Sequence, residues 1–115
     1  MDYGCELLKG NTPTLILAIL QDAPQHGYGI AREIERRSGE ALKFKEGTLY
    51  PALHALEAEE LVTGSWETSS NGPPRKVYAI TPAGLAELEK RTRVWNSFSL
   101  AIDQILGGKP DAQPI

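Results

Sequence analysis

Glu46-Gly47-Thr48-Leu49-Tyr50-Pro51-Ala52-Leu53-His54-Ala55-Leu56-Glu57 is the stretch whose reading fixes the architecture of this chain. With Leu49 at zero and ~100° per residue, Leu53 and Leu56 fall beside it and point into a core. Gly47, Pro51, His54, Ala55 and Ala58 point the other way, flanked by Thr48 and Tyr50. A solvated helix face usually carries Lys and Glu. This one presents small, uncharged groups, as a surface does that must approach another molecule closely. A DNA major groove admits a helix and offers base edges and thymine methyls. The alternative is an ordinary surface of low charge.

Upstream, His26-Gly27-Tyr28-Gly29 opens a helix predicted over residues 28–38, with Ile30 and Ile34 on one face and a stop at Ser38-Gly39. A connector of about six residues leads to a helix predicted over residues 47–60. Pro51 must sit in its first turns, because deeper in the helix its missing N–H and ring clash cost ~3 kcal/mol. The spacing is that of a helix-turn-helix, slightly lengthened. Further upstream, Thr12-Pro13 predicts a helix start, with Thr as cap and Pro in the first turn. Its apolar face is Leu15, Ile16, Ile19 and Leu20, and Asp22-Ala23-Pro24 ends it. Residues 1–11 read as a mixed, partly mobile segment.

Downstream, residues 61–68 and 76–81 read as strands around the turn signal Ser69-Ser70-Asn71-Gly72-Pro73-Pro74. Such a hairpin, directly after a helix-turn-helix, is the wing of a winged helix, and Trp66 is expected in the core beneath it. Thr81-Pro82 then caps a long helix that runs to about Leu106 and stops at Gly107-Gly108. Leu85, Leu88, Thr92, Trp95, Ser99, Ile102 and Leu106 follow an alternating three-four spacing, a seam for another helix. No other element of so short a chain is free to cover that seam, so a second copy is expected to do so. The fold class is therefore mainly α with a small β-hairpin: a winged helix-turn-helix domain over residues 1–81, a dimerisation helix over 82–106 and a Pro-rich, disordered tail over 107–115.

The chain has 115 residues, 41% hydrophobic and 23% charged, which suits one folded domain. Cys5 is the only cysteine, so an intrachain disulfide and a Cys-rich metal site are excluded. No secretory leader is legible, and the longest apolar run, Leu15 to Leu20, is too short to span a bilayer. A cytoplasmic protein is expected. Two histidines, no Gly-rich phosphate loop and no nucleophile elbow leave nothing from which to build catalysis, so no enzyme activity, metal or cofactor is expected. The net charge of −3 argues against nucleic-acid binding unless basic residues cluster. They do so weakly, at Arg32, Arg36, Arg37, Lys43 and Lys45 and again at Arg75 and Lys76. Arg32 and Arg36 have Glu33, Glu35 and Glu40 as alternative partners.

The order helix, helix, helix, hairpin, long helix resembles the PadR family of bacterial transcriptional regulators. The likeness is carried by Leu7-Leu8-Lys9-Gly10, His26-Gly27-Tyr28-Gly29-Ile30, the Gly47-Thr48-Leu49-Tyr50-Pro51-Ala52-Leu53 segment with Leu56-Glu57, and Arg75-Lys76-Val77-Tyr78 leading to Ile80-Thr81-Pro82-Ala83-Gly84. It covers about residues 5–106. The single C-terminal helix is similar to that of the short subfamily, which dimerises through that helix and helix one. The resemblance implies a homodimeric winged-helix repressor on double-stranded DNA with roughly palindromic half-sites, relieved in some members by small aromatic ligands. Family wings often carry several basic residues; this one carries two.

Within that reading, Thr48, Tyr50, Pro51 and His54 are the expected contacts of the third helix, with Thr48 alternatively only its cap. Tyr28 and Lys45 are expected on phosphates, and Arg75 and Lys76 on phosphate or the minor groove. By position Trp95 resembles the Trp that lines a ligand pore between subunits in some family members, with Asn96 and Phe98 as neighbours; packing of the dimer interface is its other reading. Leu85, Leu88, Trp95, Ile102 and Leu106 are the expected interface. The rival functions are a winged-helix protein-interaction module without DNA binding, and a small-molecule carrier or enzyme using the pore.

Overall fold

Among the described residues, thirteen apolar side chains form one buried cluster, to which four helices and a small sheet each contribute. The computed structural model describes residues 5–69 and 71–107. The elements are α1 (Cys5–Asp22), β1 (Gln25–His26), α2 (Gly27–Arg37), α3 (Glu46–Ala58), β2 (Val62–Ser69), β3 (Gly72–Ile80) and α4 (Pro82–Ile105). Ile16, Leu17, Ile19 and Leu20 of α1 meet Ile30 and Ile34 of α2 and Leu49, Leu53 and Leu56 of α3. Val62 and Tyr78 close the cluster from the sheet, and Leu88 closes it from α4.

The sheet has the order β1-β3-β2, all antiparallel. Sequence signals miss β1, because a two-residue strand has no periodicity; it pairs Gln25 with Tyr78 and His26 with Val77. The hairpin turns between Ser69 and Gly72, and Pro73 and Pro74 lie inside β3, not in the turn. They are tolerated because β1 pairs only at Val77 and Tyr78, so this end of β3 has one free edge and donates no ladder bond there. The register shifts between Glu67 and Ser69, beside the prolines.

Two features of α1 correct the sequence reading. Thr12 and Pro13 lie well inside the helix, which begins by Cys5. Thr12 is 1% exposed, and its hydroxyl donates to the Leu8 carbonyl at 2.9 Å, so it caps nothing. The additional N-terminal turns run along α4: Leu7, Asn11 and Thr14 share a cavity of about 400 Å³ with Thr92 and Trp95. Part of the seam of α4, at Thr92 and Trp95, therefore faces α1 of its own chain. Leu88, expected at an interface between copies, is 6% exposed and belongs to the core of its own chain. The other expected interface residues, Leu85, Trp95, Ile102 and Leu106, are exposed in the single chain, and so are Val94 (60% exposed), Phe98 (55%), Leu100 and Ile105 (80%).

The N-terminus of α4 is built as its sequence predicts. Thr81 accepts the Gly84 N–H at 3.0 Å, and Pro82 occupies the first turn. The same hydroxyl donates to the Glu60 carbonyl at 2.8 Å, and the Thr81 N–H donates to the Leu61 carbonyl at 3.1 Å. This ties α4 to the corner where α3 ends. The tail beyond Gly107 lies outside the described residues.

Candidate nucleic-acid interface

The two sides of α3 differ as the wheel requires. Leu49, Leu53 and Leu56 are at most 3% exposed. Gly47, Pro51, His54, Ala55 and Ala58 are all exposed, and Thr48 and Tyr50 are half-buried. Lys45 occupies the N-cap position without a side-chain cap bond, so Thr48 is not the cap but a residue of the first turn. The exposed side of the helix carries one imidazole and otherwise a pyrrolidine, methyls and a bare backbone.

Tyr28 of α2, with Lys45 and Tyr50 at the start of α3, lines one cleft of about 310 Å³ between the two helices. Tyr28 is 60% exposed, and Arg32 Nη1 donates to its hydroxyl at 2.9 Å. The Tyr50 ring lies against the α-carbon of Gly27: a β-carbon there would fall 2.7 Å from the Tyr50 hydroxyl and 2.8 Å from two ring carbons. Glycine at 27 thus seats the tyrosine. Gly27→Ala is expected to cost about 1–3 kcal/mol in urea unfolding through overpacking. Adding Tyr50→Ala should recover most of that loss in a double-mutant cycle; two independent, additive costs would show that the ring is not seated there.

His26 does two jobs that its motif alone does not reveal. It is the N-cap of α2, where Nδ1 accepts the Gly29 N–H at 3.1 Å. Its Nε2 lies 3.3 Å from Nη1 of Arg75. With Nδ1 accepting, a neutral ring carries its proton on Nε2, so the imidazole and the guanidinium are both donors toward the same space. Two donors converging at the base of the wing are a geometry suited to an anion. Sequence reasoning left His26 out of its candidates, since capping and contact across the sheet are tertiary facts; the His-Gly-Tyr-Gly motif was the available signal.

The basic residues separate into engaged and free. Arg36 bridges Glu33 at 2.6 Å, and Arg37 bridges Asp22 at 2.6 Å and Glu33 at 3.4 Å. The Arg36 hydrogen bond, aided by Arg37, pulls the Glu33 carboxyl down to about 2. Lys76 bridges Glu57 of α3 at 2.9 Å, and that bond raises its ammonium above the usual lysine range. Lys76 therefore stands half-buried at the hinge between α3 and the wing. Among the described residues, no ion pair engages Lys45 or Arg75.

Trp66 was expected in the core and is 67% exposed. Its face of the sheet is the one expected. Val62, Gly64 and Trp66 alternate onto the side that also carries Tyr78 and Lys76, and a β-carbon at Gly64 would meet Lys76 and Glu57. Gly64 and Tyr78 are covered on this face, whereas Trp66, one cross-strand pair nearer the tip, is mostly exposed.

Trp95, Asn96 and Phe98 are exposed on α4, and the rings of Trp95 and Phe98 lie 6.2 Å apart. Trp95 lines both cavities between α1 and α4, the second of about 430 Å³ with Lys90, Arg91, Val94 and Phe98. No group of His, Cys, Asp or Glu able to hold a metal occurs among the described residues. No helix among the described residues is long and apolar enough to cross a membrane.

A family model described as the transcriptional regulator PadR-like family matches residues 16–90. Transcriptional regulator Rv3488 of Mycobacterium tuberculosis is 35% identical over 94 residues, which span 82% of this chain and 81% of that protein. A transcriptional regulator structure from Clostridium thermocellum superposes with a TM-score of 0.80 at 26% identity, covering 86% of this chain and 96% of that one. A PadR-like transcriptional regulator from Bacillus cereus gives 0.74 at 32% identity, covering 90% and 99%. The winged helix, the long C-terminal helix and these matches agree: the chain belongs to the PadR-like family of transcriptional regulators.

Proposed function

We propose that the protein is a homodimeric, cytoplasmic repressor that binds duplex DNA by inserting α3 of each protomer into a major groove. One observation carries this reading: the fully exposed side of α3 bears no charged group among Gly47, Pro51, His54, Ala55 and Ala58. Thr48, Pro51 and His54 meet base edges and methyls, and the Tyr50 hydroxyl meets a phosphate while its ring packs against Gly27. Lys45, Tyr28 and Arg75 hold phosphates, and Lys76 sets the angle of the wing through Glu57. With so few polar groups aimed at bases, DNA shape supplies part of the specificity. The uncovered apolar side chains of α4 clasp a second copy, which fixes the separation of the two reading helices. A flat aromatic ligand against Trp95 relieves repression by favouring a dimer with a different angle between its reading helices.

The test is a titration of a duplex enriched from a randomised pool by the wild-type chain, repeated at several salt concentrations. Affinity is expected to fall steeply with salt. Ala55→Glu, which touches none of the core, places a carboxylate against phosphates and is expected to weaken binding at least tenfold. A salt-independent affinity, or wild-type affinity in Ala55→Glu, would return the chain to the second reading, a winged-helix module that binds protein. The neutralisation of Lys76 by Glu57 is the observation that favours that rival.

A further inference from the structure

We infer that His26 and Arg75 together bind one phosphate of the DNA backbone, in a site built where the start of α2 meets the base of the wing. This rests on the DNA-binding reading and adds His26, a residue that no sequence signal assigned to it. The pairing of β1 with β3 sets His26 beside Val77, and Arg75 follows two residues away on β3 with its Nη1 3.3 Å from His26 Nε2. Glu67 is the cross-strand neighbour of Arg75, yet no ion pair joins the two among the described residues. The guanidinium meets the imidazole instead.

That meeting lacks an acceptor. A neutral imidazole carries one proton, and Nδ1 must be bare to accept the Gly29 N–H at 3.1 Å. The proton therefore sits on Nε2 and faces a second donor. Moving it to Nδ1 only transfers the conflict to the cap of α2. Two donors this close are satisfied together by an acceptor placed between them. A phosphate takes the Nε2–H on one oxygen and the guanidinium on another.

The continuation of the site selects a DNA strand over a lone anion. The Tyr28 ring lies parallel to that of His26, with centroids 6.4 Å apart. Arg32 donates to the Tyr28 hydroxyl at 2.9 Å, and its guanidinium stands 5.6 Å from the centre of that ring. Arg75, His26, Tyr28 and Arg32 thus form an unbroken row from the wing across the start of α2. Tyr28 joins the row to Lys45 and Tyr50 at the start of α3, through the cleft they share. Successive phosphates can use such a row along its length, whereas one small anion uses a single end. Glu33, Glu35 and Glu40 border it. Glu33 is bonded to Arg36 and Arg37, and the charge of Glu35 acts on Arg32, at the end far from Arg75.

The experiment uses the full chain labelled with ¹⁵N-histidine, whose ring resonances are assigned with His26→Asn. Asparagine can cap α2 in place of the ring but is too short to hold the phosphate, so the unfolding midpoint is expected to stay near that of the wild type. The first probe is the duplex enriched from a randomised pool by the wild-type chain, followed in parallel by anisotropy of the labelled DNA; the second is inorganic phosphate. The His26 Nε2 resonance is expected to shift with the same saturation as the anisotropy, and inorganic phosphate to move it far more weakly. His26→Asn and Arg75→Gln are each expected to weaken duplex binding about tenfold. The double variant should lose much less than the product of the two, because both side chains hold one phosphate. An unmoved His26 resonance at saturating duplex, with wild-type affinity in His26→Asn, overturns this inference while leaving DNA binding standing. Losses that multiply in full overturn the shared site. A shift with inorganic phosphate that the duplex does not reproduce assigns the pair to a free anion and overturns it as well. Failure to enrich any duplex removes the DNA-binding reading, and this inference with it.

Discussion

Phe98→Glu combined with Ile105→Glu is expected to turn the protein into monomers and to lower its affinity for duplex DNA by about 10²–10⁴-fold. Both side chains are more than half exposed in the single chain and neither belongs to its buried core, so glutamate there costs little within the fold beyond the contact of Phe98 with the Trp95 ring. In a two-fold dimer each change occurs twice and opposes carboxylates across an apolar clasp. The loss in DNA affinity exceeds anything a direct contact supplies. One protomer offers few free cations, since Arg36, Arg37 and Lys76 are engaged with acids. Joining two such heads makes the second docking event intramolecular. Sedimentation equilibrium read beside anisotropy separates the effects. Monomers with unchanged DNA affinity would sink the dimeric mechanism, and a double variant that stays dimeric would place the clasp elsewhere.

Gly84→Val is expected to destabilise the fold by about 3 kcal/mol, lowering the melting temperature by roughly 10–20 °C. Gly84 is buried in the first turn of α4, and a β-carbon there would run into the carbonyl oxygen of Leu61 and the side chain of Ile80. A flexible side chain can move aside. The Leu61 carbonyl cannot, because it accepts the Thr81 N–H and follows Glu60, which is held at φ 61°. The substitution thus forces apart the joint between α4 and the end of α3. Gly47→Ala is the control, since a β-carbon at Gly47 meets nothing within 4 Å. Thermal unfolding of the two variants distinguishes a steric joint from a general intolerance of replacing helical glycines; equal stabilities would refute the joint.

The elements that local chemistry encodes were readable in the chain. Thr81-Pro82 fixes the start of α4, because a hydroxyl cap and a proline in the first turn satisfy the orphan donors of a helix there and nowhere else along it. Leu49, Leu53 and Leu56 fix which side of α3 is buried, because their spacing matches the helical repeat. Thr12-Pro13 carries the same kind of signal and misleads. Pro13 cannot donate to the Lys9 carbonyl, yet the helix continues through it, because burial of Thr12 and packing of the preceding turns against α4 outweigh one missing bond.

Side-chain surroundings were the other gap. The alternation of β2 assigns Trp66 to the inner face, but whether anything lies over it there depends on how the sheet packs against the helices. The charge of Lys76 is plain in the sequence; its neutralisation by Glu57, 19 positions away, is not. The convergence of His26 and Arg75, 49 positions apart, is equally invisible until β1 pairs with β3. Helical periodicity, caps and turns act over a few residues, so the order of residues encodes them directly. Coverage, ion pairing and the meeting of donors act across space, so they arise only once the core has set the elements against one another.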